Sequence, residues 1–286
     1  MRRILLIFIL LICSTTVSLS QQIKPMLGER LNWSHPLARG LVSCWLMNEG
    51  RGNKVYDLSG NSITLALTNI GWTPGKTGFS ILINSTSDTV IANQPVASQT
   101  EGTIVFIIKK ISSYGSDTAL CQVDTTALDS SHVLSLRCVG GGSIRFYPNL
   151  TQDSDKYWSF GNHSTTLPAY ETVSLVVVWK QNRLLQGYRN GMLYGVQTGT
   201  TAWTASSWSA NEIFSMNKPS GTVNACIELA YIFNRALSAS EIAWLYKQPF
   251  AMFDTYPVWW FYIFGEGAGG QMIFGGQRIL DGGVVR

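Results

Sequence analysis

The run VNACIELAYIFNRALSASEIAWLYKQP, residues 223–249, constrains the fold more than any other stretch of the chain. From Cys226 to Phe233 every residue is apolar or aromatic except Glu228, and a short run of that kind makes a strand buried on both faces. Asn234-Arg235 breaks it. Ser238 then stands three residues before Glu241, the spacing of a capping box, in which the Ser hydroxyl takes an orphan backbone N–H and the Glu carboxylate reaches back to the cap residue's own N–H. Ile242, Leu245 and Tyr246 fall on one helical face. Pro249 ends the helix, because it has no N–H to donate and clashes with the preceding turn. The spacing predicts one helix over 238–247, packed outside a sandwich and closing it.

Upstream, short apolar runs alternate with turn residues: GLVSCWLMNE, SITLALT, FSILIN, TVIAN, GTIVFIIKK, TALCQV, VLSLRCV, SIRFY, TVSLVVVWK, RLLQGYR, MLYGVQ and NEIFSM. Such runs, with almost no helix between them, indicate a sandwich or barrel. Asn190-Gly191 marks a hairpin, since a type I′ turn needs positive φ at both central residues. Gly71 and Pro74 are read as part of a loop, and so is TQDSDKY with the aromatics that follow it. No internal repeat or heptad is visible.

Three stretches carry a family resemblance. IELAYIFNRALSASEI resembles the C-terminal signature of laminin-G-like jelly rolls of the concanavalin A-like lectin/glucanase superfamily, with Glu228 where the family usually has Asp. GLVSCWLMNEGRGNKVYDLSGN resembles its first strand and D-x-S-G-N loop, and LLQGYRNGMLYG its L-Y-V-N-G hairpin. They occur in family order and bracket Leu41 to Gln248. The resemblance implies an all-β fold: a two-sheet antiparallel jelly-roll sandwich with one short C-terminal helix, its first strand beside its last. It also implies one calcium ion at a loop rim, held by Asp57, by backbone oxygens near Ser59 and Asn61, and by Glu228. Hard oxygen donors suit that ion. The alternative is that Asp57 makes an Asx-turn with its own backbone.

Residues 1–20 read as a signal peptide: Arg2 and Arg3 precede an apolar core too short to span a bilayer comfortably, and Ser18 and Ser20 suit a signal peptidase. Lipidation at Cys13 and an uncleaved anchor are the alternatives. Residues 21–40 form a lead-in, 41–248 the sandwich, and 249–286 an aromatic, then Gly-rich tail. That tail is either laid across the sandwich or an assembly contact. A secreted, extracellular protein is expected, with no membrane span after cleavage. Four cysteines then remain, Cys44, Cys121, Cys138 and Cys226, and sequence alone allows three pairings. Cys121 and Cys138 lie on consecutive predicted strands. The resemblance puts the strands of Cys44 and Cys226 side by side. Free thiols acting as small buried hydrophobes are the alternative. Asn32, Asn84, Asn149 and Asn162 each open an N-x-Ser/Thr sequon.

Charge is sparse. The formal balance of +4 falls to +2 without Arg2 and Arg3, and no block of like charge exists, which excludes nucleic-acid or membrane-surface binding driven by charge. Retaining glycoside hydrolysis needs two carboxylates about 5 Å apart. The E-x-D-x-x-E and E-x-D-x-E signatures of the fold's glucanases are absent, and Asp153 and Asp155 lie in a polar loop. His35, His132 and His163 are far apart, and neither zinc spacing, nor a nucleophile elbow, nor a phosphate loop appears. The expected function is therefore a non-enzymatic, lectin-like module binding a glycan or glycoprotein surface. A structural or adhesion protein of an assembly is the alternative, and a divergent glycoside hydrolase the third reading. Aromatic faces cover the C–H faces of sugars while amides and hydroxyls bond the ring hydroxyls. The sugar site is accordingly expected in loops, at Trp203 and Trp208 with Asn211, and at Tyr157 and Trp158 with Asn162. Trp45 and Trp179 are expected in the core.

Overall fold

The computed structural model describes residues 24–26, 28–92, 100–111, 118–124, 132–139, 142–148, 156–198, 213–216 and 224–254. In chain order the strands are β1 (Leu41–Trp45), β2 (Lys54–Val55), β3 (Leu65–Thr68), β4 (Gly71–Pro74), β5 (Phe79–Ile83), β6 (Thr89–Ala92), β7 (Glu101–Lys110), β8 (Thr118–Asp124) and β9 (His132–Val139). They continue with β10 (Ser143–Tyr147), β11 (Tyr157–Asn162), β12 (Thr172–Lys180), β13 (Leu184–Arg189), β14 (Met192–Leu193), β15 (Val196–Thr198), β16 (Ile213–Met216) and β17 (Ala225–Phe233). Two helices are described, the single turn α1 (His163–Thr166) and α2 (Ala239–Lys247).

The strands form two antiparallel sheets. One runs β14-β13-β12-β7-β17-β5-β4, with β1 also on β17; the other runs β15-β11-β10-β9-β8-β16-β6-β3-β2. This is the jelly-roll-like sandwich that the resemblance implied. The expected neighbours meet: Cys44 lies opposite Tyr231 and Trp45 opposite Ala230. Strand β17 is the spine, flanked by β7 on one side and by β5, then β1, on the other.

The middle strands of the first sheet read as continuous apolar runs because both of their faces are covered. Inward, Ile104, Phe106, Ile108, Leu175, Val177, Trp179, Ala230 and Ile232 meet Leu134, Leu136, Ile144, Phe146 and Trp158 of the second sheet. Outward, Val105, Val176, Val178, Tyr231 and Phe233 pack with Leu37, Ile242, Leu245, Phe250, Met252 and Phe253 in a second core. A bulge at Glu228 shifts the register between Ile227 and Leu229, so Ile227 faces the inner core and Leu229 the outer one.

The signature after β17 works as a clamp. Asn234 N–H donates to Gly40 O, and Arg235 Nε to Arg39 O at 2.7 Å. Thr103 Oγ1 donates to Arg235 O and accepts from Leu237 N–H. The capping box forms as expected, with Ser238 as N-cap and Glu241 closing it. Ile242 and Leu245 are buried, but Tyr246 is 45% exposed and lies beside Gly191 of the hairpin, rather than completing the apolar face. Asn190 and Gly191 both have positive φ, 51° and 78°, as the type I′ turn requires. Two segments read as loops are strands, β4 at a sheet edge and β11 within the second sheet.

The expected disulfides do not form: Cys44, Cys121 and Cys226 are free, buried thiols. Cys121 lies opposite Leu136, while Cys138 lies opposite Thr118. Cys226 pairs with Leu82 and Lys109, five residues along β17 from the partner of Cys44. That offset is roughly 16 Å at the rise of a strand, beyond the Cα reach of about 7 Å for a bridge.

Candidate functional site

The Asp57 loop is built by its own backbone. Asp57 Oδ1 accepts from Cys44 N–H at 2.8 Å and from Ser59 N–H at 2.9 Å; Oδ2 accepts from Ser59 Oγ at 2.6 Å and from Ile63 N–H at 3.2 Å. Asn61 Nδ2 donates to Val42 O and Ser59 Oγ. This is the Asx-turn arrangement, extended to hold the loop against β1.

Glu228 serves a different turn. Its Oε1 accepts from Lys76 N–H at 2.8 Å, and its Oε2 from Thr77 N–H at 3.1 Å and Thr77 Oγ1 at 2.8 Å. The carboxylate is fully buried in the β4–β5 turn. Both acids accept from backbone and hydroxyl donors, and no group of three or more His, Cys, Asp or Glu that could hold a metal occurs among the described residues. The expected calcium set of Asp57, Asn61 and Glu228 is thus distributed over two turns, with four hydrogen bonds to the Asp57 carboxylate and three to that of Glu228.

Lys24 completes the second cluster and carried no sequence signal. It is only 5% exposed, donates from Nζ to Phe79 O, and is fixed by its own N–H to Thr77 O. Burial lowers its pKa to about 8, against the upward pull of Glu228 and Glu49.

The aromatics sort differently from expectation. Trp45 and Trp179 are fully buried, as predicted. Trp158 is not a loop residue: it lies on β11, is 6% exposed, and donates from Nε1 to Tyr194 O at 2.8 Å. Gly187 makes this packing feasible, since a Cβ there would stand 2.5 Å from the Trp158 ring. Asn162 caps α1, its Oδ1 accepting from Ser164 N–H. Trp203, Trp208, Asn211 and residues 255–286 of the tail lie outside the described residues, as do residues 1–23, while Phe250, Met252 and Phe253 at the start of the tail pack into the second core.

Tyr157 is the aromatic of the expected set that stays at the surface among the described residues, and Asn162 is exposed at the end of the same strand. Since Ile144, Phe146, Trp158 and Phe160 point into the inner core, Arg145, Tyr147, Tyr157 and Ser159 point the other way. Tyr157 is half-buried, its ring 5.2 Å from that of Tyr147 and 4.4 Å from Cζ of Arg145. Ser159 lies across from Arg145, and Thr198 across from Tyr157. This outer face of the second sheet combines aromatic rings, hydroxyls and guanidinium groups. Away from it, Trp33 is 56% exposed, its ring above Gly60. Apart from Tyr157, sequence reasoning missed this face; the alternation in SIRFY was the available signal.

No helix among the described residues is long and apolar enough to cross a membrane. No relative among the curated proteins matches the sequence. The fold is similar to that of a Trypanosoma rangeli sialidase solved with sialic acid, at 15% identity and a TM-score of 0.56, covering 74% of this chain and 33% of that one. It is also similar to the binding domain of botulinum neurotoxin DC solved with rat synaptotagmin II, at 16% identity and a TM-score of 0.56, covering 73% and 52%. A third similar structure is the binding domain of Paraclostridial mosquitocidal protein 1, at 16% identity, a TM-score of 0.55 and the same coverage of 73% and 52%. The chain spans a third to about half of the length of these structures. Identities this low speak for the fold alone. A family model matches residues 84–243, more than half of the sequence, and with the lectin-like sandwich in place it identifies the chain as a member of the concanavalin A-like lectin/glucanases superfamily.

Proposed function

We propose that the chain is an exported, non-enzymatic carbohydrate-binding module that engages a glycan or glycosylated surface with the outer face of its nine-stranded sheet. The observation that carries this reading is Tyr157, half-buried beside Arg145, Tyr147, Ser159 and Thr198 on one face. A ring at that depth can cover a sugar C–H face while its neighbours bond hydroxyls. Trp203, Trp208 and Asn211 stand in the connection between β15 and β16, both strands of that sheet, and are proposed to add contacts. Similar folds occur in complexes with sialic acid and with SialylT. The non-enzymatic part rests on the missing paired-carboxylate motif and on Glu228, a buried acid whose carboxylate accepts three hydrogen bonds from its own turn. Export rests on the leader at residues 1–20.

Probing a glycan array with the full chain tests the reading. Retention of at least one glycan, lost in Tyr157→Ala with an unchanged melting temperature, is the expected result. An array without any retained glycan would overturn it.

One observation favours an adhesion or assembly protein instead. Met192, Leu193 and Val196 are 72%, 54% and 65% exposed close to the hairpin against which Tyr246 lies. Self-association in sedimentation experiments, abolished by Met192→Ser with Leu193→Ser, would support that reading.

A further inference from the structure

Of the four N-x-Ser/Thr sequons, those of Asn32, Asn84 and Asn162 begin among the described residues, and Asn149 lies outside them. Two present both the asparagine and the hydroxyl residue at the surface: Asn84 with Thr86, and Asn162 with Ser164. Asn32 is half-buried. Asn84 follows the last residue of β5 and opens the turn to β6, where Asp88 Oδ2 accepts from the backbone N–H groups of Asn84 and Ser85. Asn162 ends β11 and caps α1.

The two ends of each side-chain amide are used unequally. Asn162 Oδ1 accepts from Ser164 N–H at 2.8 Å, and a backbone donor fixes which amide atom is the oxygen, so Nδ2 is left without a hydrogen bond. Asn84 is bonded through its backbone N–H and not through its side chain. By contrast Asn48, Asn61 and Asn69, none of which opens a sequon, donate from Nδ2 to backbone carbonyls. A sugar on Nδ2 would displace those bonds. At Asn84 and Asn162 it displaces none, and the Oδ1 cap of α1 survives. There is room beside Asn162, since a Cβ on Gly161 would meet nothing within 4 Å.

Both asparagines stand at one end of the sandwich. Ile83, next to Asn84, pairs with Ala225, Ala225 pairs with Lys110, and Lys110 bridges to Ala169 just past α1. Tyr157 begins the strand that Asn162 ends, roughly 16 Å away at the rise of a strand.

We propose that Asn84 and Asn162 are acceptor sites for N-linked glycans. Nδ2 attacks the anomeric C1 of a polyprenyl-diphosphate-linked oligosaccharide. The N–C1 bond forms as the C1–O bond breaks, the diphosphate leaves with the bonding electron pair, and the nitrogen gives up one proton to a base. The inference rests on the export proposed above and does not depend on what the sheet binds.

Secretion of the full chain with its own leader from cultured mammalian cells, then treatment with peptide N-glycosidase and mapping of peptide masses, provides the test. The expected result is a secreted protein with glycans at Asn84 and Asn162, each asparagine becoming aspartate on release. Asn84→Gln and Asn162→Gln should each remove one step in gel mobility. Should Asn162→Gln fail to fold, Ser164→Ala replaces it, because it keeps the capping N–H and removes only the hydroxyl that the sequon needs. Thr86→Ala does the same for Asn84. A secreted protein with neither asparagine modified would overturn the inference and leave export standing. A glycan at only one of the two would overturn the assignment of the other. Retention inside the cell with the leader uncleaved and neither asparagine modified would overturn both the inference and export.

Discussion

The outer side of the eight-stranded sheet and the outer side of the nine-stranded sheet are chemically unlike. On the first, Val176, Val178, Tyr231 and Phe233 lie buried under α2 and residues 250–253. On the second, Arg137, Arg145, Tyr157 and Ser159 stand half-buried. The strands record the difference: seven successive residues of β12, from Val173 to Trp179, are buried, whereas buried and half-buried residues alternate through the first four positions of β10 and of β11. A face packed under the protein's own chain is apolar at nearly every position, while the outer face of the second sheet carries arginine, tyrosine and serine, with Tyr147 and Ser135 buried among them. One side of this sandwich is therefore committed to stability, and the other carries the polar and amphipathic chemistry on which the carbohydrate-binding proposal rests.

The largest expected effect tests where that boundary runs. Trp179→Ala, Trp45→Ala and Trp158→Ala should each cost about 3–5 kcal/mol in urea unfolding, as large-to-small core changes do. Trp158 is the sharp case. A near-neutral Trp158→Ala would return this residue to the recognition side. Next comes the buried turn. Glu228→Ala leaves the donors of Lys76 and Thr77 without their acceptor and the buried Lys24 charge without its nearby carboxylate, and should cost about 3 kcal/mol.

Lys24 gives that cluster a pH signature. Its folded pKa, about 8, lies below the unfolded value of 10.5. Between those values the unfolded chain holds more protons, so this group's contribution to stability rises with pH across that window. Lys24→Met should remove that rising limb when its unfolding is compared with the parent's at pH 7, 9 and 10.5. A parent and variant with parallel curves would refute it.

At the rim of the second core, Ser238→Ala should cost about 1 kcal/mol by removing the N-cap. Burial raises the Glu241 pKa, but bonds from Arg235 and Ser238 outweigh it and bring the carboxyl to about 2. The stabilisation from this group is thus complete above the ordinary carboxylate range and is lost as pH falls toward 2. Glu241→Gln should flatten the parent's acid loss over that interval. On the outer face of the second sheet, Arg145→Gln should change stability by about 1 kcal/mol, the scale of a single cation–π contact. Smallest of all is the effect of calcium. With Asp57 and Glu228 each bonded within its own turn, melting in calcium and in a chelator should coincide. A rise that scales with free calcium would establish the metal site.

Legibility followed how local each determinant is. The run from Cys226 to Phe233, the Ser238–Glu241 box and the Asn190-Gly191 turn were readable because each is specified within a few residues. Strand β11 was not, since Asp153, Asp155 and Asn162 around YWSF look like loop chemistry, and the space for Trp158 comes from Gly187 on another strand. Edge strand β4 was hidden by Gly71 and Pro74, residues that an edge tolerates and a central strand does not. The sugar site was sought in loops, so Arg145 and Tyr147 were not weighed as surface neighbours of Tyr157 although the alternating pattern of SIRFY was present. Nothing near Lys24 marks it as buried. Its environment is assembled from Thr77, Phe79, Glu49 and Glu228, which only the fold brings together.

The position of β17 also sets an order of events during synthesis. Every strand it pairs with is made earlier, and the β1 contact joins residues 45 and 230. Contacts so distant in sequence make assembly slow, and the central sheet remains split until this late strand arrives. A nascent or truncated chain ending before residue 225 would therefore expose the edges of β1, β5 and β7 together. Two of those edges carry the apolar runs FSILI and EGTIVFIIKK, the kind that pair with other chains. Ribosomal stalling or proteolysis just upstream of the signature would yield an aggregating fragment, not a smaller functional domain.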